Sequence, residues 1–157
     1  MEIINVINQK KRISIVTDDI SFDVSLNTWA RNYLRKGMII SNDDVSRLCE
    51  ETRFDFLIED GHSFLKLPKS QRELLEFLQK KDSELANKAF SYFISKGYVD
   101  DLKYSTNFVL VNRNKKGRNF IAHELSKKGV SEDIILEALR NITDEDELEL
   151  LNSIIIK

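Results

Sequence analysis

The amino-acid sequence predicts a mainly α-helical protein that begins with a small β-sheet. Three observations carry this prediction: apolar residues alternate with polar ones in the first quarter of the chain, they recur at helical spacing after residue 40, and the helical part repeats itself. Together these patterns predict a three-stranded β-meander with a covering helix, followed by tandem three-helix repeats that form an elongated curved arm.

Length and composition limit the class of protein. The 157 residues suffice for one globular domain or two small ones, and 41% hydrophobic residues predict a folded core rather than disorder. The apolar runs are too short to span a bilayer and the N-terminus lacks a secretory signal, so we expect a cytoplasmic protein. Cys49, His62 and His123 are too few soft ligands for a structural zinc site, and neither a metal nor a cofactor is expected.

Three short strands are predicted near residues 4–7, 13–15 and 20–24, where isoleucine and valine alternate with polar residues. Turns are expected at residues 9–11 and 17–19, because lysine and aspartate interrupt the apolar pattern there. A sheet of three short strands needs a cover before it is stable, so the next element is expected to pack on one of its faces.

The covering element is predicted to be a helix from Leu26 to Lys36. Ser25 is expected to cap its start, because a hydroxyl there accepts a hydrogen bond from a free backbone N–H. Gly37 is expected to end it, because glycine readily adopts the left-handed conformation found after helices. Four residues should share the face that covers the sheet: Trp29, Ala30, Tyr33 and Leu34.

The rest of the chain, from Ser41 onward, has its apolar residues at helical spacing. Ser41 with Asp44 and Ser70 with Glu73 have the spacing of capping boxes. Glycines at positions 97, 117 and 129 separate helical segments, whereas the glycine at position 61 lies inside one. The spacing predicts helices near residues 45–52, 54–65, 74–78, 86–94, 104–111, 121–125, 134–142 and 148–155.

An internal repeat divides the helical part of the chain. The sequence Leu-Gln-Lys-Lys at residues 78–81 resembles Leu-Ser-Lys-Lys at residues 125–128, an offset of 47 residues. Each copy is interpreted as a three-helix unit, and stacked units of this kind leave one face available for a partner. The predicted organisation is a meander with its helix over 1–40, a first repeat over 41–99, a second repeat over 100–142, and the first helix of an incomplete third repeat over 143–157.

No set of residues has the spacing of a catalytic or metal site. His123 is not followed by a second histidine one helical turn later, because Lys127 occupies that position. Cys49 lies on an apolar helical face, which favours a core side chain over a nucleophile. Acidic pairs such as Asp100 with Asp101 fall at helix starts, where capping explains them. Since the sequence also lacks a phosphate-binding loop and a nucleophile elbow, we expect a protein that is not an enzyme.

Positive charge is concentrated in the middle of the chain. Residues 66–140 carry 15 basic and 10 acidic side chains, although the net charge of the whole chain is −2. The candidate residues for contact with a filament or nucleic acid are Arg113, Lys115, Lys116 and Arg118 in the join between two helices, Lys80, Lys81, Lys127 and Lys128 at equivalent helix ends, and Lys69 and Arg72 near a helix start.

Two interpretations of these basic residues stay open. Lysines in the last turn of a helix stabilise the helix dipole, and a charged face is often simply solvated. Repetition at equivalent positions would also place positive charge at intervals that suit a filament or a nucleic-acid backbone. Because the aromatic residues have core spacing and do not alternate with these lysines, base stacking has little support.

Several short motifs lie between residues 96 and 130: Lys-Gly-Tyr-Val-Asp-Asp at 96–101, Tyr-Ser at 104–105, Lys-Gly at 116–117 and Lys-Gly-Val at 128–130. In this order and spacing the sequence resembles the RecX family, the bacterial regulators of RecA recombinase. The structural signature of this resemblance consists of Gly97, Tyr98, Asp100, Asp101, Gly117 and Gly129. Gly97 is expected to end a helix, Tyr98 to pack in the joint between repeats, and one of the two aspartates to cap the next helix.

The resemblance implies that the helical arm lies in the groove of the RecA–DNA filament and alters its assembly or activity through the basic residues. We therefore expect a non-enzymatic regulator that acts as a monomer, with the filament as its partner and with direct contact to single- or double-stranded DNA left open. A DNA-binding helical module without a RecA role is the first alternative, and a protein-interaction scaffold is the second.

Overall fold

The computed structural model describes residues 1–156, and it has the predicted mainly helical architecture with a three-stranded sheet at the N-terminus. The strands are β1 (Ile3–Gln9), β2 (Arg12–Thr17) and β3 (Ser21–Ser25). The helices are α1 (Leu26–Arg31), α2 (Asn42–Phe64), α3 (Gln71–Lys81), α4 (Ala86–Ser95), α5 (Asp101–Asn112), α6 (Arg118–Lys127), α7 (Glu132–Leu139) and α8 (Asp144–Ile156). The chain forms two compact units, one over Met1–Asp60 and one from Gly61 onward. Within the described range, no helix is both long and apolar enough to cross a bilayer.

The sheet is an antiparallel meander with β2 at its centre. Ile13 pairs with Val24 and Ile15 with Phe22. Because side chains alternate between the two faces of a strand, Ile13, Ile15 and Val24 are buried while Ser14 and Asp23 next to them remain accessible. The buried core of this unit comprises Ile3, Ile13, Ile15, Val24, Leu34, Ile40 and Leu48.

The third strand begins one residue later than the sequence predicts. Ile20 lies in the turn before β3, where its N–H donates to the Thr17 hydroxyl at 2.8 Å and its carbonyl accepts from the same hydroxyl at 2.7 Å. Since Thr17 engages both backbone groups of Ile20, that residue does not join the strand ladder, and 40% of its side chain is exposed.

The covering helix is shorter than predicted, because α1 ends at Arg31 and not at Lys36. Ser25 caps its start as expected and accepts a hydrogen bond from the Thr28 N–H. At its end, Tyr33 takes the left-handed conformation with φ of 54° and is exposed, so the expectation that Tyr33 covers the sheet is wrong. The Leu34 N–H returns to the Trp29 carbonyl, which closes the helix and leaves Gly37 in the following loop.

The next helix is longer than predicted, because the two helices expected near residues 45–52 and 54–65 form the single helix α2. No glycine or proline separates the two apolar segments, so helical hydrogen bonding continues through them. The predicted capping box is confirmed at its start: the Ser41 N–H donates to the Asp44 carboxylate at 2.9 Å and the Asp44 N–H to the Ser41 hydroxyl at 3.1 Å. Near its end Gly61 faces the Phe93 ring, which a Cβ atom would collide with.

The three helices of the predicted second repeat share one apolar core. Helices α5, α6 and α7 pack around Val109, Ile121, Leu125, Val130, Ile135, Ala138, Leu139 and Ile142. Gly97 and Gly129 follow α4 and α6 with φ of 73° and 83°, which confirms the helix-ending role predicted for Gly97. Helix α7 ends at Leu139 and not near residue 142, because residues 140–142 close short turns with N–H bonds three residues back.

Candidate functional site

The start of α3 is hydrogen-bonded to the start of α5 and to the end of α6. Ser70 and Glu73 form the predicted capping box, and the Ser70 hydroxyl also donates to the Lys128 carbonyl oxygen at 2.6 Å. The Gln71 N–H donates to the carboxylate of Asp101 at 2.8 Å. These bonds tie α3 both to the first turn of α5 and to the end of α6, and they define the joint between the predicted helical repeats.

Arg72 is part of this joint. Its guanidinium donates to the Lys127 carbonyl oxygen at 2.5 Å and lies 3.5 Å from the Glu76 carboxylate. A Cβ at Gly129 would approach the Arg72 Cδ to 2.7 Å, so glycine makes room for this side chain. The Lys128 ammonium lies 3.7 Å from the Glu73 carboxylate. Arg72 and Lys128 were predicted as partner contacts, but both side chains already contact other groups of the protein.

The two signature aspartates have different roles. Asp100 caps α5 by accepting hydrogen bonds from the N–H groups of Leu102 at 2.9 Å and Lys103 at 3.2 Å. Asp101 is buried and reaches back to the Gln71 N–H. Burial raises the pKa of the Asp101 carboxyl, although that hydrogen bond acts in the opposite direction. The sequence left open which aspartate caps the helix, and the structure assigns the cap to Asp100.

Tyr98 is half-exposed next to these aspartates. Its ring centroid lies 4.7 Å from that of His62 and 6.1 Å from that of Phe93, both edge to face. The neighbouring Val99 is buried. Tyr98 thus packs against the end of α2 and against α4, while 52% of the residue faces solvent. Gly117, another signature residue, forms the N-cap of α6 with an ordinary negative φ of −72°.

The join between α5 and α6 carries two exposed lysines, Lys115 and Lys116. The Lys116 ammonium lies over the Phe120 ring, 4.9 Å from its centroid, and Phe120 is 46% exposed. Such a cation–π contact at an exposed position is worth about 0.5–1 kcal/mol. The ring beside the lysine also offers a flat apolar surface to a partner.

The two arginines of this join contact α8. The Arg118 Nε lies 3.1 Å from the Glu147 Oε1, and the Arg118 Nη2 donates to the Ile142 carbonyl oxygen at 3.2 Å. The Arg113 Nε lies 3.8 Å from the Asp146 Oδ1. Neither ion pair was predicted from the sequence. The opposite charges of the basic join and of the acidic run in residues 144–149 were the available signal.

A second basic and aromatic group lies on α2 and α3. The rings of Phe64 and Phe77 stack with centroids 4.3 Å apart and an interplanar angle of 9°. The Lys69 ammonium lies 4.9 Å from the Phe64 centroid, and the Lys81 ammonium lies 5.7 Å from the Phe77 centroid. Aromatic rings that do not alternate with the lysines along the sequence thus lie beside them in the fold, here and at Phe120, and these rings are only partly buried.

The ten candidate basic residues divide into two equal groups. Five have a carboxylate within 4 Å: Arg72, Arg113, Arg118, Lys127 and Lys128. Five make no ion pair with any carboxylate in the described part of the chain: Lys69, Lys80, Lys81, Lys115 and Lys116. The second group is the set of positive charges that is most available to a partner.

Other candidate chemistry is sparse in the described residues. They contain no group of three or more histidine, cysteine, aspartate or glutamate side chains that could hold a metal ion. Cys49 is partly buried, and burial raises the pKa of its thiol, which keeps the sulfur protonated and poorly nucleophilic at neutral pH. The basic and aromatic groups are therefore the main candidate site.

Comparison with known proteins identifies relatives of this chain. Residues 100–139 match the sequence model of the RecX second three-helix domain. The chain is 30% identical over 155 residues to the regulatory protein RecX of Lactobacillus gasseri, covering 93% of this chain and 57% of that protein. It is 29% identical over 149 residues to the regulatory protein RecX of Clostridium botulinum, covering 89% of this chain and 68% of that protein. The chain thus spans less than two thirds of the length of the Lactobacillus relative.

Solved structures share the fold. A crystal structure of a regulatory protein RecX superposes with a TM-score of 0.80 and 21% identity over 95% of this chain and 77% of the other. The crystal structure of RecX from Lactobacillus salivarius gives a TM-score of 0.58 and 22% identity over 62% of this chain and 67% of the other. These agreements confirm the resemblance to the RecX family that the sequence motifs predict, and the solved structures show that the chain shares its fold with RecX proteins.

Proposed function

We propose that this chain is a non-enzymatic regulator of RecA that acts in the cytoplasm as a monomer and binds in the groove of the RecA–DNA filament. The names of its relatives, which are regulatory proteins, support this function. The observation that carries the proposal is the group of lysines that have no carboxylate partner among the described residues, with one lysine pair in each of the two predicted repeats. Binding alters the assembly or the activity of the filament.

Lysine pairs in both predicted repeats suit a repeating partner, although the two pairs lie at opposite ends of the second helix. Lys80 and Lys81 end α3, the second helix of the predicted first repeat. Lys115 and Lys116 precede α6, the second helix of the predicted second repeat. A filament of RecA on DNA presents the same surface at regular intervals, so a protein with basic groups on successive repeats can contact several of its subunits or phosphates.

The contacts within the protein narrow the proposed surface. Arg72 donates to the Lys127 carbonyl oxygen and the Lys128 ammonium lies 3.7 Å from the Glu73 carboxylate, so both side chains are less available to a partner. Lys127 lies 3.4 Å from Glu124 on its own helix, which lowers its availability. We therefore assign the primary contacts to the five lysines Lys69, Lys80, Lys81, Lys115 and Lys116.

Direct DNA binding without RecA is the alternative that a specific observation favours. Phe120 is half-exposed beneath Lys116, and the stacked pair of Phe64 and Phe77 lies between Lys69 and Lys81. Partly exposed rings beside cations are typical of surfaces on which unpaired bases stack. DNA binding of this kind would be strongly weakened by salt, because each single-strand phosphate that is neutralised contributes a slope of about −0.7 in log K against log salt.

Co-sedimentation with RecA filaments distinguishes these functions. RecA is assembled on single-stranded DNA with a nucleotide that blocks filament turnover, and bare DNA is measured in parallel across a salt series. Binding to the filament at a salt concentration that abolishes binding to bare DNA is the expected result. Equal, salt-sensitive binding to both would indicate a DNA-binding module. Binding to neither would contradict both, and would favour a protein scaffold that uses exposed residues such as Leu148 and Leu151.

A matched pair of variants tests the surface. The double variant K115E/K116E reverses two exposed charges in the α5–α6 join, and R35E/K36E reverses two exposed charges outside the helical repeats. Only K115E/K116E should lose filament binding, while both should keep the helix content of the wild-type protein by circular dichroism. Equal loss in the two variants would indicate a general charge effect, and no loss in K115E/K116E would exclude this join as the binding surface.

A further inference from the structure

The two arginines of the α5–α6 join are engaged by carboxylates from α8. Arg118 contacts Glu147 at 3.1 Å and donates to the Ile142 carbonyl oxygen at 3.2 Å, and Arg113 lies 3.8 Å from Asp146. Both arginines flank the exposed lysines Lys115 and Lys116, which have no such partner among the described residues. Within one short join, half of the positive side chains are thus neutralised by the protein itself.

A guanidinium binds a phosphate through the same paired N–H donors that it offers to a carboxylate. Glu147 accepts the Nε–H of Arg118 and so lies where a phosphate oxygen of a nucleic acid can bind, whereas Asp146 lies 3.8 Å from the Arg113 Nε, which makes no hydrogen bond in the described part of the chain. Asp146 is charged at neutral pH, because hydrogen bonding from Thr143 and the nearby Arg113 hold the pKa of its carboxyl below the usual value. The ion pair of Arg118 with Glu147 therefore resembles the contact of an arginine with a phosphate.

The contact is also easy to break. The side chains of Arg118 and Glu147 are 45% and 44% exposed, so water and salt screen their attraction. Three apolar residues of α8, Leu148, Leu151 and Ile154, are more than half exposed. At these three positions, displacement of α8 would expose little additional apolar surface.

We propose that α8 competes with a phosphate backbone for the basic join. Its carboxylates lie next to Arg113 and Arg118 in the free protein, and the phosphates of a nucleic acid displace them on binding. This inference rests on the proposed function, because it concerns the regulation of the same polyanion-binding surface. In the bound state the join presents four positive side chains, two of which α8 engages when the protein is free. The acidic helix sets the affinity of the surface without contacting the partner.

Two single-charge variants of α8 test this competition. Glu147→Gln removes the partner of Arg118, whereas Glu149→Gln removes one charge from an exposed residue of the same helix that forms no ion pair with the described residues. Binding is measured by fluorescence anisotropy with labelled single-stranded and duplex oligonucleotides at low salt. We expect E147Q to bind about two- to fivefold more tightly than the wild-type protein, the range that corresponds to loss of one exposed ion pair, and E149Q to bind like the wild type.

A double-mutant cycle with Arg118→Gln separates the specific contact from general charge. In the R118Q background the E147Q substitution should no longer increase affinity, because the arginine that it frees is gone. An equal increase from E147Q and E149Q, or an increase that persists in R118Q, would overturn the competition. Circular dichroism of all variants verifies that α8 still forms.

The outcomes also separate this inference from the proposed function. Oligonucleotide binding by the wild type that E147Q leaves unchanged refutes the competition and leaves the proposed function intact. Binding by E147Q but not by the wild type supports complete masking of the join. No binding by either protein, together with no sedimentation on RecA filaments, overturns both.

Discussion

The hydroxyl of Ser70 donates a hydrogen bond of 2.6 Å to the carbonyl oxygen of Lys128. The same oxygen of Ser70 accepts the N–H of Glu73 at 3.3 Å and so caps α3. One side chain therefore stabilises the first turn of a helix and also connects that helix to the end of α6. Because both bonds converge on one atom, its removal should affect the fold more than the loss of an ordinary cap.

Ser70→Ala should lower the free energy of unfolding by about 1–3 kcal/mol, because it removes a helix cap and leaves the Lys128 carbonyl without this donor. Urea unfolding followed by circular dichroism measures the change. Ser126→Ala is the matched control, since Ser126 is exposed on α6. If the two variants have equal stability, the bond from Ser70 to Lys128 contributes nothing measurable.

Gly129→Ala should destabilise the protein more than Gly97→Ala. Both glycines have a positive φ, so alanine at either position introduces backbone strain of about 1–2 kcal/mol. Only at Gly129 does the new Cβ also approach Arg72, to 2.7 Å, whereas nothing lies within 4 Å of a Cβ at Gly97. Urea unfolding of the two variants compares them directly, and equal losses would mean that Arg72 moves aside without cost.

Gly61→Ala should destabilise the protein although alanine favours helices over glycine by about 1 kcal/mol. The added methyl group would collide with the Phe93 ring, and overpacking of a buried site typically costs about 1–3 kcal/mol. In the double variant G61A/F93L, the smaller leucine side chain should recover part of the stability that G61A loses. A thermal unfolding midpoint for G61A above that of the wild type would contradict this account of Gly61.

The contribution of Asp101 to stability should fall as pH rises. Burial raises the pKa of this carboxyl above its usual value of 3.8, and nearby Asp100 and Glu73 act in the same direction. The folded state therefore binds a proton more readily than the unfolded state, so the favourable contribution present below pH 3.8 is lost as pH rises through the folded pKa.

The variant Asp101→Asn keeps an acceptor for the Gln71 N–H but does not titrate. The free energy of unfolding of D101N minus that of the wild type should increase from acidic to neutral pH, because only the wild type must bury a charge there. Urea unfolding at a series of pH values measures this difference, in which the other carboxyl groups largely cancel. A difference that is constant, or that grows towards acid, would exclude the predicted raised pKa.

Local features of this fold could be predicted from the sequence. The caps at Ser25, Ser41 and Ser70 were found because each depends on residues within three positions along the chain. The end of α1 was not predicted, because it requires the left-handed conformation at Tyr33, which is usually adopted by glycine or asparagine. The strand order of the meander follows from its short turns.

The candidate site was only partly predictable, because its electrostatics depend on distant residues. The sequence placed Arg113 and Arg118 correctly in the join between helices, but their ion pairs involve residues more than 25 positions away. Arg72 was predicted as a partner contact, although it lies across Gly129 and binds a backbone carbonyl oxygen. The ion pairs of Arg113 and Arg118 and the hydrogen bond of Arg72 all join residues far apart in the chain, so no short-range sequence pattern predicts them.

The joint between repeats uses the main chain of α6 as its acceptor. Ser70 and Arg72 bond to the carbonyl oxygens of Lys128 and Lys127, and every amino acid supplies such an oxygen. Residues 127 and 128 can therefore change identity over evolutionary time while both of these bonds persist. The sign and number of charges at this helix end can drift or be selected independently of how the helices are assembled, provided that the glycine at position 129 is retained.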